Sequence, residues 1–321
     1  MVSVVIATRD RAALLERTLA ALGAQELEDG AIEVLIVDNG SSDHTREVVA
    51  GAAAVLPDVV YLYEAKPGKS HALNSAMAHA RGELLLLTDD DVVPSRGWVQ
   101  AFVRAFAETG ADYAVGRIFP LWEVPPPHWM SDALHGVLAI PDGGPWRQLL
   151  SQGVHEEIMP IGANMAVRRS VIERIGGWNP DLGKLGGTLR TGEDHEFALR
   201  MLAAGFRGVY EPGAWVGHHV PASRLRLGYF ARWFYDNGAI VAGLEGTYPS
   251  SCARLLGVPR YLWRQLARDL LAAFAAIVRA DLAQVVAACM RVLWFGGFVQ
   301  HRWTSARRSH FEWPRPISPR E

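Results

Sequence analysis

The first 120 residues alternate between short apolar runs and helical patterns, and this alternation constrains the fold more than any other feature of the chain. The apolar runs have the lengths of buried strands in a parallel sheet, and they lie at Val2–Ile6, Val34–Val37, Val59–Tyr63, Leu84–Leu87 and Tyr113–Phe119. Between them, apolar residues recur at helical spacing, as Leu15, Leu19 and Leu22 do. The pattern predicts an α/β fold, with a Rossmann-like, mostly parallel sheet flanked by helices.

Polar sequences follow four of these apolar runs. The carboxyl ends of parallel strands meet at one edge of a sheet, and ligands bind there. The polar sequences are ATRDR at 7–11, VDNGSSD at 37–43, EAKPGKS at 64–70 and TDDDVVP at 88–94. The chain contains neither of the two usual glycine-rich phosphate loops. We therefore expect a ligand site at this edge that does not depend on such a loop.

Three consecutive aspartates, Asp89, Asp90 and Asp91, follow the leucine run directly. Neighbouring carboxylates repel one another, and a buried strand limits their solvation, so they stay ionised at low cost only beside a positive charge. A divalent cation is the simplest such charge, and Mg²⁺ typically shares one or two carboxylates with substrate phosphates. The pattern indicates a metal–nucleotide site. The alternative is a turn in which aspartates act as caps.

Two further acidic positions are candidates. Asp38 ends the second strand, where it can accept hydrogen bonds from a base or a ribose, or can form an Asx-turn instead. The sequence TGEDHEF places Glu193 and Asp194 at a helix start. A helix N-terminus favours an ionised carboxylate, so Asp194 would remain a base near neutral pH. The alternative is a capping box formed by Thr191 and Asp194.

Histidines and tryptophans outside the first sheet give weaker signals. Either His218 or His219, which follow a strand, can serve as a metal ligand, with packed or solvated histidines as the alternative. Trp122, Trp129 and Trp178 lie in segments expected to be loops. Exposed aromatic rings there would suit sugar stacking, and a loop that packs on itself would bury them instead.

The composition limits the class of protein. The chain has 321 residues, half of them apolar, and a net charge of −2, which excludes the strong basic excess of a nucleic-acid binder. The cysteines, Cys252 and Cys289, form neither a metal spacing nor a disulfide framework, which fits a reducing compartment. We expect a main domain at 1–224 and a helical region at 225–321 that is rich in Trp and Arg. This region either packs on the main domain or forms an interfacial hairpin.

Membrane-crossing segments are not expected. The N-terminus lacks the pattern of a secretory leader. The longest uncharged apolar run considered, Leu270–Val278, lies between Asp269 and Arg279 and is too short to span a bilayer. We therefore expect a cytoplasmic protein, with peripheral contact at the inner face of the plasma membrane through 255–303 as the second expectation.

Five segments together resemble the landmarks of the family 2 glycosyltransferases, which are inverting enzymes with the GT-A fold. They are VSVVIATRDR, VLIVDNGSSDHT, GKSHALNSAMAHARGELLLLTDDDVVP, GANMAVRRSVIERIGGWNPDLG and GEDHEFALRM. They occur in the family's order and extend over about residues 2–240. The resemblance implies a donor half at about 1–120, an acceptor half at 121–224, and a C-terminal helical appendage.

The resemblance also implies a nucleotide-diphosphate-sugar donor and a divalent metal, Mn²⁺ or Mg²⁺. The residues implied for donor binding are Ala7, Thr8 and Arg9 in the nucleoside pocket, Asp38 at the base, Lys69 and Arg81 near the nucleotide, and Asp89 toward the ribose. Asp194 would be the general base, next to Glu193. Trp178 and Asn164 are expected on the acceptor side.

The metal ligands depend on how the family's D-x-D motif is placed on the three aspartates. Aligned on the following Val-Val-Pro, the ligand is Asp90, which we favour. Read literally, the motif is Asp89 and Asp91. Asp91 and His218 are kept as further ligands, the latter because it matches a histidine that binds metal in some relatives.

The expected function is an inverting transfer of sugar, first from UDP-sugars, to a saccharide or lipid-linked acceptor in polysaccharide or glycolipid assembly. The metal would stabilise the leaving diphosphate and Asp194 would deprotonate the acceptor hydroxyl. The segments 120–160 and 182–192 would close over the donor and exclude water. One alternative is a nucleotidyltransferase acting on a sugar phosphate. Another is a scaffold that binds nucleotide and metal without turnover.

Overall fold

The computed structural model describes residues 1–28, 30–150, 158–183, 192–247 and 252–305. Its main sheet has the strand order β3-β2-β1-β4-β8-β6-β9-β5, and β7 also pairs with β9. The strands are β1 (Val2–Thr8), β2 (Ile32–Asp38), β3 (Val59–Tyr63), β4 (Leu84–Asp89), β5 (Val92–Pro94), β6 (Tyr113–Trp122), β7 (Gln148–Leu150), β8 (Asn164–Arg168) and β9 (Gly208–Val220).

The first four strands along this order run parallel, as the sequence predicted. Strand β8 is antiparallel to both β4 and β6, and β9 is parallel to β6. The short strands β5 and β7 are antiparallel to β9. All five strands expected from the apolar runs are present, most of them a few residues longer than the runs.

Helices cover both faces of the sheet because successive strand residues point to opposite sides. In β1, Val4 and Ile6 belong to one apolar core, whereas Val5 belongs to the other. The helices are α1 (Ala12–Gly23), α2 (Thr45–Ala52), α3 (Lys69–His79), α4 (Trp98–Thr109), α5 (Arg169–Ile175), α6 (Glu193–Ala203), α7 (Leu227–Thr247), α8 (Arg260–Val278) and α9 (Leu282–Ser305). The α/β architecture with a C-terminal helical part is therefore confirmed.

Strand register brings the polar sequences together. Asp38 lies beside Thr8, and Ala7 lies beside Asp89. The short strand β5 pairs with the end of β9, so Val92 lies opposite His218. One edge of the sheet therefore collects residues that are far apart in the chain, as expected for the carboxyl ends of parallel strands.

The two segments expected to close over a donor are described only in part. In the first, 120–160, β6 continues to Trp122, and a 3-10 helix spans Asp132–Leu138; residues 151–157 lie outside the described part of the chain. In the second, 182–192, residues 184–191 also lie outside it, including Thr191 of the expected capping box. The closing role of both segments stays a prediction.

The C-terminal helices contribute side chains to the apolar core of the main domain. Phe230 of α7 lies edge-on to Trp129, with ring centroids 5.2 Å apart. Val286 and Met290 of α9 belong to the same apolar cluster as Val4 and Ile6 of β1. The boundary expected at residue 224 therefore falls within a continuous core.

Helix α9 contains a long apolar segment that was not expected from the sequence. Leu282–Thr304 has the length and mean hydropathy, 1.7, of a membrane-crossing helix. It is not an uncharged run, because Arg291 lies within it. The Arg291 guanidinium pairs with Asp269 of α8 at 2.6 Å. Length and composition alone are weak evidence of a span, because core helices of soluble proteins meet the same criteria.

Glycines allow α7 and α9 to approach closely. A Cβ atom added at Gly238 would lie 2.0 Å from the carbonyl oxygen of Trp294, and one added at Gly297 would lie 1.9 Å from that of Tyr235. Backbone atoms fill both positions, so no side-chain movement can make room. Each helix thus needs a glycine where it meets the other.

We predict that Gly238→Ala lowers the free energy of unfolding by about 1–3 kcal/mol, because overpacking against a backbone outweighs the gain in helix propensity. Urea denaturation of the purified protein measures this change. The matched control is Gly228→Ala in the same helix, where an added Cβ meets nothing within 4 Å. Equal effects of the two substitutions would show that the contact with α9 does not restrict Gly238.

Candidate active site

The three aspartates at the end of β4 have different partners. Both carboxylate oxygens of Asp90 are engaged: Thr8 donates to one at 2.8 Å and Arg11 to the other at 2.8 Å. Burial raises the pKa of the Asp90 carboxyl, and the charge of Arg11 offsets that effect only in part. Asp90 is therefore tied to β1 and the start of α1, although its ionised form is not fully compensated.

Asp91 faces the opposite strand. His218 Nε2 lies 3.3 Å from Asp91 Oδ1, while Arg11 donates to the other oxygen at 2.9 Å. Burial acts to raise the pKa of Asp91, but the adjacent His218 ring and the charge of Arg11 outweigh it and hold that pKa below its usual range. A second guanidinium, that of Arg224, lies 3.9 Å away. Asp91 is thus ionised in a cationic environment.

Asp89 pairs with Lys69 at the start of α3. The Nζ–Oδ1 distance is 2.6 Å, and both side chains are partly buried. Burial acts to lower the pKa of Lys69, but the negative charges of Asp89 and Asp194 outweigh it and raise that pKa. Burial also acts to raise the pKa of Asp89, but the positive charge of Lys69 outweighs it and lowers that pKa. The pair is an ammonium–carboxylate ion pair at neutral pH.

Asp194 lies in the first turn of helix α6 and is held by two donors. The backbone N–H of Gly162 donates to its Oδ2 at 2.8 Å, and the indole N–H of Trp178 lies 3.2 Å from its Oδ1. A Cβ added at Gly162 would lie 3.1 Å from both Asp194 Oδ2 and Lys69 Nζ. Lys69 therefore lies close to Asp194, on the side where Gly162 has no side chain.

The start of α6 also rests on the C-terminal helices. Its N-cap residue is Gly192, and a Cβ there would come within 2.8 Å of Ile240 of α7. Ile240 packs with Leu182 and Leu244 in a small apolar cluster. Glu193, buried next to Asp194, places its carboxylate beside Gly183. The orientation of Asp194 thus depends on elements before and after α6.

Asp38 lies at the same sheet edge and is held in a turn. The N–H of Ser41 donates to one oxygen at 2.7 Å, which is the Asx-turn considered as an alternative. The hydroxyl of Tyr61 donates to the other at 2.7 Å. Burial and this hydrogen bond raise the pKa of Tyr61 to about 12. The adjacent Asn39 binds the carbonyls of Glu64 and Lys66 and ties down the loop before α3.

Two residues predicted for the site do not face it, and a third, Trp178, reaches it only through its indole N–H. Arg81 pairs with Glu33 at 2.6 Å, near the start of β2, at the edge of the sheet opposite the aspartates. Asn164 is fully buried and bonds Trp98 and two backbone carbonyls, so it offers nothing to an acceptor. Trp178 is also fully buried, stacked on Phe197, and reaches the site only through its N–H. The expectation that Arg81 lies near a nucleotide is therefore corrected.

The remaining predicted positions line the edge. Ala7 is partly exposed and Thr8 is buried, while Arg9 extends outward with its guanidinium 3.6 Å from Asp10. Sequence reasoning passed over Arg11, although ATRDR was singled out, and it passed over Gly162 and Arg224 too. The spacing of Arg11 from the aspartates in the chain gives no signal, because their contact is tertiary.

The donor atoms present fit a cation in part. Asp91 Oδ1 is buried and accepts no hydrogen bond of good geometry, and His218 Nε2 lies 3.3 Å from it. An unpaired carboxylate oxygen beside an imidazole is a pair of atoms that a divalent cation can satisfy. No group of three or more His, Cys, Asp or Glu side chains able to hold a metal was found within the described ranges. The described residues would therefore supply only some ligands of a divalent cation, and a phosphate-bearing substrate would have to supply the others.

The chain is similar in sequence to known proteins. The model of the family "Glycosyl transferase family 2" matches residues 3–176. The chain belongs to this family. It is 27% identical over 228 residues to the succinoglycan biosynthesis protein ExoM of Rhizobium meliloti, covering 70% of this chain and 69% of that one. It is 28% identical over 255 residues to the pre-mycofactocin glycosyltransferase of Mycobacterium tuberculosis, covering 79% of this chain and half of that relative.

A solved structure supports the fold. The mannosyltransferase PcManGT from Pyrobaculum calidifontis, in complex with GDP-Man and Mn²⁺, matches with a TM-score of 0.62 and 20% identity, over 94% of this chain and 87% of that one. The GT-A fold expected from the resemblance is confirmed, and the protein is a glycosyltransferase. Family membership favours this class over the nucleotidyltransferase and the non-catalytic scaffold.

We predict that Lys69→Gln weakens binding of a nucleoside diphosphate at least about tenfold, because loss of one partner of a buried ion pair leaves carboxylates that repel a diphosphate. Calorimetric titration with UDP and with GDP measures the effect. Arg81→Gln is the matched change of a cation to an amide at the opposite edge, and it should leave nucleotide binding unaltered. Equal weakening by both variants would contradict the placement of Arg81.

Proposed function

We propose that the chain transfers a sugar from a nucleotide-diphosphate donor to an acceptor hydroxyl with inversion, and that Asp194 is the general base. The observation that carries this proposal is the fixed Asp194 carboxylate, held by Gly162 and Trp178, at the same sheet edge as the three aspartates. A base and a site for a charged leaving group lie close together there, which a single displacement requires.

Asp194 is suited to remove a proton at neutral pH. It lies in the first turn of α6, where the helix N-terminus stabilises a carboxylate. Its two hydrogen bonds fix its orientation, and each oxygen has a second lone pair for an acceptor hydroxyl. Lys69 places a positive charge near this carboxylate.

The reaction then needs no enzyme nucleophile. The acceptor hydroxyl attacks the anomeric carbon from the face opposite the diphosphate, and its proton passes to Asp194. The new glycosidic C–O bond forms as the bond to the diphosphate oxygen breaks, so one displacement inverts the configuration. A positive environment at the departing oxygens lowers the barrier, because charge develops there in the transition state.

Donor binding is assigned to the edge formed by β1, β2 and α3. Ala7, Thr8 and Arg9 line the nucleoside side, and Asp38, held by Tyr61, accepts hydrogen bonds from the base. Asp89 lies toward the ribose, and Lys69 lies near the phosphates. The buried position of Asp38 and its fixed orientation support a role in recognition as well as in the turn.

A divalent cation, Mn²⁺ or Mg²⁺, is assigned to Asp91 and His218. When bound, it would neutralise the diphosphate as its charge grows. Asp90, the ligand favoured by alignment, already uses both oxygens to hold Thr8 and Arg11. The Asp91 oxygen that faces His218 Nε2 supports Asp91 as the direct ligand, with Asp90 retained as an orienting residue.

The sugar and the acceptor are proposed at the level of class. UDP-sugars follow from the resemblance, and the similar mannosyltransferase was solved with GDP-Man, so both nucleotides belong in a donor panel. The relative named for succinoglycan biosynthesis supports a saccharide or lipid-linked acceptor in envelope polysaccharide assembly. This acceptor class fits a cytoplasmic enzyme at the inner face of the plasma membrane.

We predict that Asp194→Asn lowers kcat by about 10²–10⁴, the usual contribution of a general base, and leaves nucleotide binding largely intact. Release of nucleoside diphosphate in the presence of acceptor measures kcat, and calorimetry measures binding. Asp181→Asn, at an exposed position before the same helix, is the control and should stay active. Retention of transfer by Asp194→Asn would show that another group is the base.

We predict that removal of divalent metal abolishes turnover and that Mn²⁺ restores it with the preferred UDP- or GDP-sugar. Asp91→Asn should raise the Mn²⁺ concentration needed for half-maximal activity at least about tenfold relative to Asp90→Asn, as loss of a direct ligand does. Nucleoside diphosphate release during a Mn²⁺ titration gives both values. The reverse order of the two variants would restore Asp90 as the direct ligand.

A further inference from the structure

The outward face of helix α8 changes in character along its length. In the first half, Arg260, Arg264 and Arg268 are exposed. In the second half, the exposed side chains are apolar. The opposite face of the helix, which carries Leu262 and Ala276, is buried against the other C-terminal helices. The polarity of the exposed face thus varies along the helix axis and not only around it.

The apolar half ends in the turn between α8 and α9. We call residues 270–282 the hairpin tip. Six of its apolar side chains are each more than half exposed: Leu270, Leu271, Phe274, Ile277, Val278 and Leu282. Single exposed apolar residues are ordinary on protein surfaces, whereas a contiguous group of large ones marks a contact surface.

Charge decides what kind of surface this group fits. The only acidic residue of α8, Asp269, is buried and paired with Arg291 at 2.6 Å. Asp281, in the turn, accepts a hydrogen bond from the backbone of Gln284 and caps α9. The exposed charges on α8 are therefore cationic, and Arg279 adds another at its end. The hairpin tip is apolar and has cations near it. It is therefore complementary to a surface with an apolar interior and negative charges at its boundary.

We propose that the hairpin tip inserts into the boundary between headgroups and acyl chains of an anionic lipid bilayer. At 1.5 Å per residue, the apolar half of α8 extends about 12 Å along its axis, and an interfacial helix buries its apolar face about 5–10 Å deep. Arg268 lies about half a turn before the tip and Arg264 between one and two turns before it, so both can reach the level of the headgroups. Their long side chains reach anionic phosphates while the leucines stay in the apolar layer.

A second copy of the chain fits this pattern less well. A helix that pairs with a protein buries an apolar stripe along its whole contact length, whereas α8 exposes arginines over its first half. A short exposed apolar segment between Arg268 and Arg279 instead suits a bilayer surface, where both guanidiniums can reach the headgroups while the leucines enter the apolar layer. The bilayer interaction is independent of the proposed transfer reaction, and it would hold the enzyme beside lipid-linked molecules.

The test is flotation of the purified full-length protein with vesicles of phosphatidylcholine alone or with about 30% phosphatidylglycerol. The wild type should float with the anionic vesicles. Leu271→Asp should weaken this binding at least about tenfold, because a charge replaces a leucine that enters the apolar layer. The matched control is Leu149→Asp in β7: the two leucines are 69% and 70% exposed. The control should float as the wild type does.

The cationic part has its own variants. Arg264→Gln and Arg268→Gln should each weaken binding to anionic vesicles about fivefold at low salt, since a basic residue near the surface contributes about 1 kcal/mol. Arg96→Gln, at an exposed arginine remote from α8, should have no effect. All positions are exposed, so circular dichroism and nucleotide binding should report folded proteins.

Three outcomes would overturn the proposal. The first is absence of flotation with anionic vesicles, and the second is equal loss in Leu271→Asp and Leu149→Asp. The third is a wild type that sediments as a dimer, fails to float and becomes monomeric in Leu271→Asp, which would assign the tip to a second copy. Flotation is read without donor or acceptor, so its failure is separate from any failure of the transfer reaction.

Discussion

The structure of the site depends on compensation of three adjacent carboxylates at the end of a buried strand. The leucines of β4 carry Asp89, Asp90 and Asp91 into a region with little water, where repulsion among them is costly. Cations from separate parts of the chain offset it: Lys69 from α3, and Arg11 from the start of α1. The same contacts hold these elements together at the edge of the sheet, so electrostatics and fold are coupled there.

Compensation is uneven, and the unevenness separates the three side chains. The pKa values of Asp89, which is paired with Lys69, and of Asp91 are lowered. The pKa of Asp90 is raised by burial despite its contact with Arg11. Two adjacent residues with opposite pKa shifts have different roles: one orients the turn, and the other faces His218. This difference could not be read from a run of identical letters.

Sequence patterns predicted the sheet well because apolar periodicity and polar strand ends are local signals. The three candidate carboxylates Asp38, Asp89 and Asp194 could be proposed for the same reason, because each lies at or next to the end of an element that can be recognised from the chain. Arg81 was misplaced because a basic residue just before a strand looks the same whichever edge it faces. Arg11 and Gly162 were missed because their importance arises only from partners about 80 and 30 residues away in the chain.

The contact of Gly192 with Ile240 has a consequence for how relatives can exchange parts. Gly192, the N-cap residue of the helix that carries Asp194, packs against Ile240 of α7, so a division at residue 224 would separate the proposed base from part of its support. A graft that preserves it has to carry α6 and α7 together. A segment exchanged between relatives would therefore have to begin before α6, and not at the change in composition that follows β9.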